Sequence, residues 1–185
     1  MAPPVTVGGA PLAHAADRFV AYLIDSLISS VLLLIPLGVM LWAMFDRIRD
    51  AFDAFPTTPA PNTDPFTLMA PVLHIELLFL AVIVPLSLIE SYFYYVTFMH
   101  RTGQTPGKRV MKIKVVRLED GSPIDARIAR RRWLAQSLMP FLSAWLPGFV
   151  YADLLWLLWD VPYRQCLHDK VALTAVVKVT AAGEG

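Results

Sequence analysis

The strongest constraint on the fold is a long apolar segment near the amino terminus. Between Arg18 and Asp46 the only charged residue is Asp25. A helix over about residues 18–45 is long enough to cross a hydrocarbon core of about 30 Å with some tilt. The whole chain is 56% hydrophobic and only 17% charged over 185 residues. The sequence therefore predicts an all-α membrane bundle rather than a soluble domain.

Two further apolar segments follow, over residues 69–99 and 133–159. The first of these carries Glu90 in its carboxyl-terminal half and predicts a second full span. The other is interrupted by the pair Pro147 and Gly148, which is typical of a turn. Residues 133–159 are therefore predicted either to cross the membrane once or to form a hairpin of two shorter helices.

The distribution of basic residues predicts the orientation. The connection over residues 100–132 is rich in Lys and Arg, whereas the proline-rich loop over residues 46–66 carries few basic residues. Because basic loops stay on the cytoplasmic side, the amino terminus is predicted to be cytoplasmic in a multi-pass protein of the cell inner membrane. Residues 1–16 and 181–185 are predicted to be flexible tails.

A small cytoplasmic β element is predicted from two stretches with alternating apolar residues. One lies within residues 108–117 and the other over residues 170–179. An isolated strand is not stable in water, so the two stretches are predicted to pair. Pairing requires both on one side of the membrane, which favours the hairpin and a cytoplasmic carboxyl terminus; a single third crossing remains the alternative.

A basic helix is predicted to begin near Pro123, with Ser122 as its N-cap and Asp125 three residues after the cap. Basic residues at the inner leaflet gain about 1 kcal/mol each from anionic lipid. The predicted headgroup-binding residues are Lys108, Arg109, Arg127, Arg130, Arg131 and Arg132.

Charged residues at membrane depth are the candidates for function. Such groups cost about 2.5–3.5 kcal/mol each to insert, so they face a bundle interior or a wet cavity and have partners. Arg18, Asp25, Glu90 and Asp153 are predicted to converge there and to bind an ion or relay protons. The alternative is structural, with Arg18 paired to Asp25 or Glu90 in a buried ion pair that fixes helix register.

Three motifs in order resemble the RDD family of small bacterial membrane proteins. DRFVAYLID supplies Arg18 and Asp25, GQTPGKRVMKIKVV and ARRRWL form the basic segment, and RQCLHDKVALTAVV supplies His168 and Asp169. The resemblance covers residues 17–180 and adds Asp169 to the candidate site. Relatives usually have Ala-Gly-Thr where this chain has Leu173 in the middle position. The resemblance implies transport, with some members linked to sodium and proton exchange.

Other chemistry finds little support in the sequence. The segment from Gly103 to Lys108 lacks the full phosphate-loop pattern, and Cys166 with His168 offers at most a weak metal site. We therefore expect no enzyme activity, no cofactor, no metal and no nucleic-acid partner. The two functions that remain are an ion or small-solute transport component, such as an antiporter acting as a homo-oligomer, and a non-catalytic scaffold that docks another membrane protein.

Overall fold

The structure is a computed structural model that describes residues 5–53, 64–145 and 149–179. It is mostly helical, and two of its helical stretches are long and apolar enough to cross a membrane. They are α1 (Ala15–Asp53) and the stretch Pro65–Thr102. The predicted spans over residues 18–45 and 69–99 lie within them. Residues 46–53 of the predicted proline-rich loop are instead the end of α1, and residues 54–63 fall outside the described residues.

The chain divides into two compact units. The second unit, Ser30–Glu90, contains the later part of α1 and nearly all of α2 (Pro65–Ser91). No described residue of α2 is buried, although the helix is strongly apolar, as expected for a helix that contacts lipid. The first unit combines residues up to 29 with residues from 91 onward, and it contains the hydrophobic cores and nearly all of the candidate site.

Short helices follow α2 in the first unit. A π-helix, Tyr92–Val96, leads into α3 (Thr97–Thr102). Gly103 ends α3 with a left-handed φ of 68°, and an added Cβ would lie 2.7 Å from the carbonyl oxygen of Val115. Only glycine accepts both the conformation and the close approach, so this position turns the chain toward the sheet.

The predicted strand pairing is confirmed. Strand β3 (Ile113–Arg117) pairs antiparallel with the carboxyl-terminal strand Thr174–Lys178, here β4, with Val115 opposite Val176. The strand predicted over residues 170–179 is shorter than expected, because a helix, Leu167–Ala172, occupies its beginning. The side chains of this helix belong to a buried polar cluster, and the helical conformation directs them into it.

The flexible tail predicted over residues 1–16 is wrong for the residues that the structure describes. Two short strands, β1 (Thr6–Val7) and β2 (Ala10–Pro11), form an antiparallel hairpin, and Val7 is buried. The amide of Ala13 then donates to the carbonyl of Val176 at 2.9 Å. An exposed strand edge presents unpaired backbone groups, and the amino-terminal segment pairs with this edge of β4.

The predicted helix start at Pro123 is also wrong. The basic helix begins at Ala126, and the carboxylate of Asp125 accepts a hydrogen bond from the amide of Ile128 at 2.8 Å. Pro123 instead lies in a β-bridge with Val116. Ser122 and Asp125 are both good N-cap residues, and the bridge selects the second by keeping the chain extended past Pro123.

The basic helix, α5 (Ala126–Trp145), packs against α6 (Phe149–Leu155) and against the short helix Leu167–Ala172, here α7. Within the described residues no helix beyond the two above is both long and apolar enough to span a membrane. The third span or membrane hairpin predicted over residues 133–159 is therefore not confirmed, and the turn at Pro147 and Gly148 lies outside the described residues.

Leu173 occupies a left-handed conformation that normally favours glycine. It ends α7 with φ 53° and ψ 48°, and its side chain is 60% exposed. We expect Leu173→Gly to stabilise the protein by about 1 kcal/mol, because the side chain gains little from burial and the conformation costs a non-glycine residue about 1–2 kcal/mol. Thermal unfolding in detergent measures the change. A lower melting temperature for Leu173→Gly than for the wild type would contradict this prediction.

Candidate functional site

Asp25 is buried in the first unit, and four donors from outside its own helix surround its carboxylate. The hydroxyl of Tyr94, in the π-helix, donates to Oδ1 at 2.9 Å. The amide of Gly107 donates to the same oxygen at 2.8 Å, and the hydroxyl of Thr105 donates to Oδ2. Lys108 Nζ lies 3.8 Å from Oδ2. The carboxylate is thus tied to the segment that joins the second span to the sheet.

The Gly-x-Thr-x-Gly-Lys segment has a structural explanation here. Thr105 caps the short helix α4 (Pro106–Val110), and Pro106 occupies its first turn. Gly107 packs directly on α1, because an added Cβ would overlap the carbonyl oxygen of Ala21 and lie 2.8 Å from Asp25 Oδ1. The backbone and hydroxyl donors that make such a loop look like a phosphate site are directed at Asp25 instead.

Lys108 lies beside this carboxylate rather than on an exposed headgroup surface, and its side chain is 15% exposed. Burial, and then the nearby charge of Arg132, lower the pKa of Lys108 from its usual 10.5 to about 8, while the charge of Asp25 partly opposes this shift. Its other close partner is the hydroxyl of Thr105 at 3.4 Å. Lys108 is therefore an amine that changes charge slightly above neutral pH.

We expect acetic anhydride, which acylates only neutral amines, to label Lys108 in the folded protein with a midpoint near pH 8. The midpoint should fall further in Asp25→Asn, because the carboxylate charge favours the protonated amine. Peptide mass spectrometry after labelling measures each lysine separately, and denatured protein is the control. Labelling of folded Lys108 with a midpoint near its usual value of 10.5 would show that the amine is not desolvated.

Asp169 is the centre of a second buried cluster. Its side chain is held by Arg18 Nη1 at 3.3 Å from Oδ2 and by Arg132 Nη1 at Oδ1. The amide of Cys166 donates to Oδ2 at 3.1 Å and completes a capping box at the start of α7. Burial opposes ionisation of Asp169, but the positive charges of Arg132 and Arg18 outweigh it and hold the pKa of this carboxyl well below its usual value.

Arg18 contacts Asp169 and not Asp25, and its predicted pairing with Glu90 stays a prediction. The prediction that Arg132 binds lipid headgroups is wrong, since Arg132 is only 4% exposed and also donates to the hydroxyl of Thr174 at 2.7 Å. A cationic side chain on the inner face of α5 cannot be told from its exposed neighbours by sequence alone. Among these arginines, Arg132 is the one that contacts a buried carboxylate.

His168 joins Asp153 to the same cluster. Its Nδ1 lies 2.6 Å from Asp153 Oδ2, and its backbone amide donates to Asp153 Oδ1 at 3.0 Å. On the other side of the ring, Nε2 lies 2.9 Å from Arg132 Nη2. A continuous polar network thus runs from Asp153 through His168 and Arg132 to Asp169, and it joins α6, α5 and α7 to the start of α1.

The predicted convergence is therefore partly observed. The structure brings Arg18, Asp153 and Asp169 into one network and gives Asp25 its own set of partners, with Lys108 close to it. Glu90 belongs to the second unit, and its approach to Asp25 stays a prediction.

Cys166, His168 and Asp169 place potential metal-ligand atoms within 4.8 Å of one another. Their environment is poor for a cation. Burial, and then the charge of Asp169, raise the pKa of the Cys166 thiol, so the thiolate is disfavoured. The Asp169 carboxylate is already neutralised by two guanidinium groups, which would repel a metal ion.

A cavity of about 390 Å³ lies against both clusters in the first unit. Its polar lining includes Arg18, Lys108, Arg132, His168 and Asp169, and the rest is mainly apolar. This volume is within the range of small-molecule sites, about 300–1,000 Å³. The cavity brings ionisable groups and the first turns of a membrane-length helix together.

Other basic residues of the predicted headgroup set are on the surface. Arg109, Arg127, Arg130 and Arg131 are exposed. Their predicted contact with anionic lipid is compatible with this exposure and stays a prediction.

Sequence reasoning missed Thr174, the role of His168 and the π-helix that carries Tyr94. No sequence pattern predicts a π-helix, although such helices are frequent at functional sites. The motif around Thr105 and Gly107 was visible in the sequence, but its target, Asp25, lies 80 residues away from Thr105 in the chain.

The unit that carries the charged cavity is continuous in the chain with two helices long and apolar enough to cross a membrane, as expected for a membrane protein. The model of the RDD family matches residues 12–173, and the chain belongs to this membrane-associated family. Comparison with curated proteins and with solved structures gives no match.

Proposed function

We propose that this protein is a transport component of the cell inner membrane, and that a small solute or ion is bound in the cavity of the first unit. The observation that carries the proposal is the cavity itself, lined by Arg18, Lys108, Arg132 and Asp169 at the beginning of α1. Buried ionisable groups at a cavity near membrane helices are expensive, and they mark solute or proton pathways in transport proteins.

The proposed topology places both termini in the cytoplasm. Pairing of β3 with β4 supports it, because the tail then lies on the same side as the basic segment that precedes α5. Residues 133–159 would form a hairpin of short helices that returns to that side. External labelling of Lys178→Cys in sealed spheroplasts would contradict this arrangement.

The geometry favours a small solute over sodium. Sodium prefers carboxylate and carbonyl oxygens with free lone pairs. The Asp25 oxygens already accept hydrogen bonds from Tyr94, Thr105 and Gly107. We propose that Lys108, whose pKa is about 8, couples proton transfer to solute binding.

Flux in proteoliposomes tests the proposal. Vesicles loaded with a pH-sensitive dye are exposed to sodium chloride or to sodium succinate, so that a sodium requirement and an anion requirement separate. We expect the wild type to change the internal pH with succinate, and Asp25→Asn to lose most of that change because the carboxylate charge beside Lys108 is removed. Glu119→Gln, an exposed change, is the control.

Absence of flux with both salts, in protein that elutes as a folded species, would contradict the transport proposal. The described residues contain two helices of membrane-spanning length, which are few for a pathway, so we also propose a homo-oligomer. Chemical crosslinking in native membranes measures its size.

A second candidate function is a scaffold that docks another membrane protein. The specific observation is the exposed basic row Arg127, Arg130 and Arg131 on α5, which presents three charges that the buried network does not use. Copurification of a stoichiometric partner with the wild type, lost in the variant with glutamine at all three positions, would support it. An unchanged set of copurifying proteins would count against it.

A further inference from the structure

The cavity has two chemically different sides. Its polar side is formed by the largely buried side chains of Arg18, Lys108 and Arg132 together with Asp169. Its apolar side is formed by Phe19, Tyr151, Leu154, Leu155, Leu157 and Leu158. Such a division suits a ligand with a charged end and a hydrocarbon end better than it suits a free ion.

The polar side has unused capacity for an anion. The Arg18 side chain is only 8% exposed. Its Nε is buried and has no hydrogen-bond partner among the described residues. Lys108 Nζ, with three donor hydrogens, has its nearest carboxylate oxygen 3.8 Å away. Among the described residues, three cationic side chains and one carboxylate, that of Asp169, line the cavity, and Asp25 contacts Lys108 from outside this lining. A buried donor without a partner is costly, and an anionic oxygen would satisfy it.

Several residues on the apolar side of the cavity are exposed. Phe19 lies in the first turns of α1 and is exposed, and so are Tyr151, Leu155 and Leu158. Exposed aromatic and aliphatic side chains beside a membrane-length helix are typical of the interface with lipid. A ligand with a hydrocarbon chain can therefore enter from the bilayer and leave part of its chain outside a cavity of about 390 Å³.

We propose that the cavity binds the anionic headgroup, a phosphate or carboxylate, of a membrane amphiphile, with the headgroup at Arg18 and Lys108 and the chain against Phe19, Leu155 and Leu158. This names the solute class of the same cavity and so rests on the proposed function. Binding is measured in detergent without any flux. A protein that binds the amphiphile but carries no flux would keep this inference and overturn transport.

Native mass spectrometry of the full-length protein in a maltoside detergent tests the binding. The probes are dodecyl phosphate, inorganic phosphate and dodecyl phosphocholine. We expect one dodecyl phosphate per chain, with the other two bound at least about tenfold more weakly, because each lacks either the chain or the net charge. Equal binding of inorganic phosphate would overturn the proposal in favour of a free-anion site.

Matched variants separate the cavity from the exposed basic surface. Lys108→Gln should weaken dodecyl phosphate binding about tenfold, since a charge-assisted hydrogen bond is lost. Arg109→Gln, the exposed neighbour, should leave it unchanged. The reverse pattern would show that the amphiphile binds at the surface and would overturn the proposal.

A steric variant tests the apolar side without removing a charge. Leu155→Trp should reduce dodecyl phosphate binding by filling the cavity, whereas Leu138→Trp, an exposed position outside its lining, should not. Because Leu155 is itself partly exposed, the larger side chain is accommodated without repacking a core. Unchanged binding to Leu155→Trp, with its melting temperature retained, would overturn the placement of the chain.

Discussion

Gly107→Ala is expected to destabilise the protein by about 3 kcal/mol or more, near the upper end of overpacking effects. The added methyl group would overlap the backbone carbonyl of Ala21 and approach Asp25 Oδ1 to 2.8 Å. A backbone group cannot rotate away as a side chain can, so α4 must separate from α1. That movement also lengthens the hydrogen bond from the Gly107 amide to Asp25, now 2.8 Å.

Thermal unfolding in detergent, followed by circular dichroism, measures the effect. Gly38→Ala is the matched control, because nothing lies within 4 Å of an added Cβ at that helical position. It should change the stability by about 1 kcal/mol or less. Equal melting temperatures for the Gly107 and Gly38 variants would show that α1 and α4 are not in close contact.

Asp169→Asn should cost about 3–5 kcal/mol, the range found when one partner of a buried ion pair is removed. The variant leaves the guanidinium groups of Arg18 and Arg132 without the carboxylate that both contact. Asparagine keeps the shape of the side chain and part of its hydrogen bonding, so the lost stability measures the contribution of the charge.

The same carboxylate predicts a pH dependence. Its pKa in the folded protein is below the usual value of 3.8, so its contribution is complete well above pH 4 and is lost as the pH falls toward the folded pKa. Melting temperatures of the wild type should therefore fall steeply below about pH 4, and Asp169→Asn should show a shallower fall. Parallel curves for the two proteins would contradict the assignment.

Asp125→Asn is the matched control for the charge. Asp125 also contacts an arginine, Arg117, at 2.9 Å, but both side chains are largely exposed, at 51% and 40%. Surface pairs contribute about 0–1 kcal/mol, and asparagine preserves the helix cap. A loss of stability in Asp125→Asn as large as that in Asp169→Asn would show that the buried network stabilises the protein no more than a surface ion pair does.

Hydropathy and periodicity are properties of neighbouring residues, and they predicted the features that depend on neighbours. The two membrane-length segments follow from runs of apolar residues, and the β3 and β4 stretches from alternation. The pairing of those strands could also be predicted, because an isolated strand is unstable in water and each stretch was the natural partner of the other. Local signals failed where two were present, as at Ser122 and Asp125, because a tertiary bridge at Pro123 chose between them.

The sequence by itself determined that charges lie within a membrane protein and must be buried with partners. Only the tertiary structure decided the partners. The sequence does not show which carboxylate lies near which cation, because that depends on where the folded chain places each of them. Arg18 binds Asp169, 151 residues later, since α7 returns the chain to the start of α1. Asp25, close to Arg18 in sequence, is turned instead toward Tyr94 and Gly107, where backbone and hydroxyl donors satisfy it.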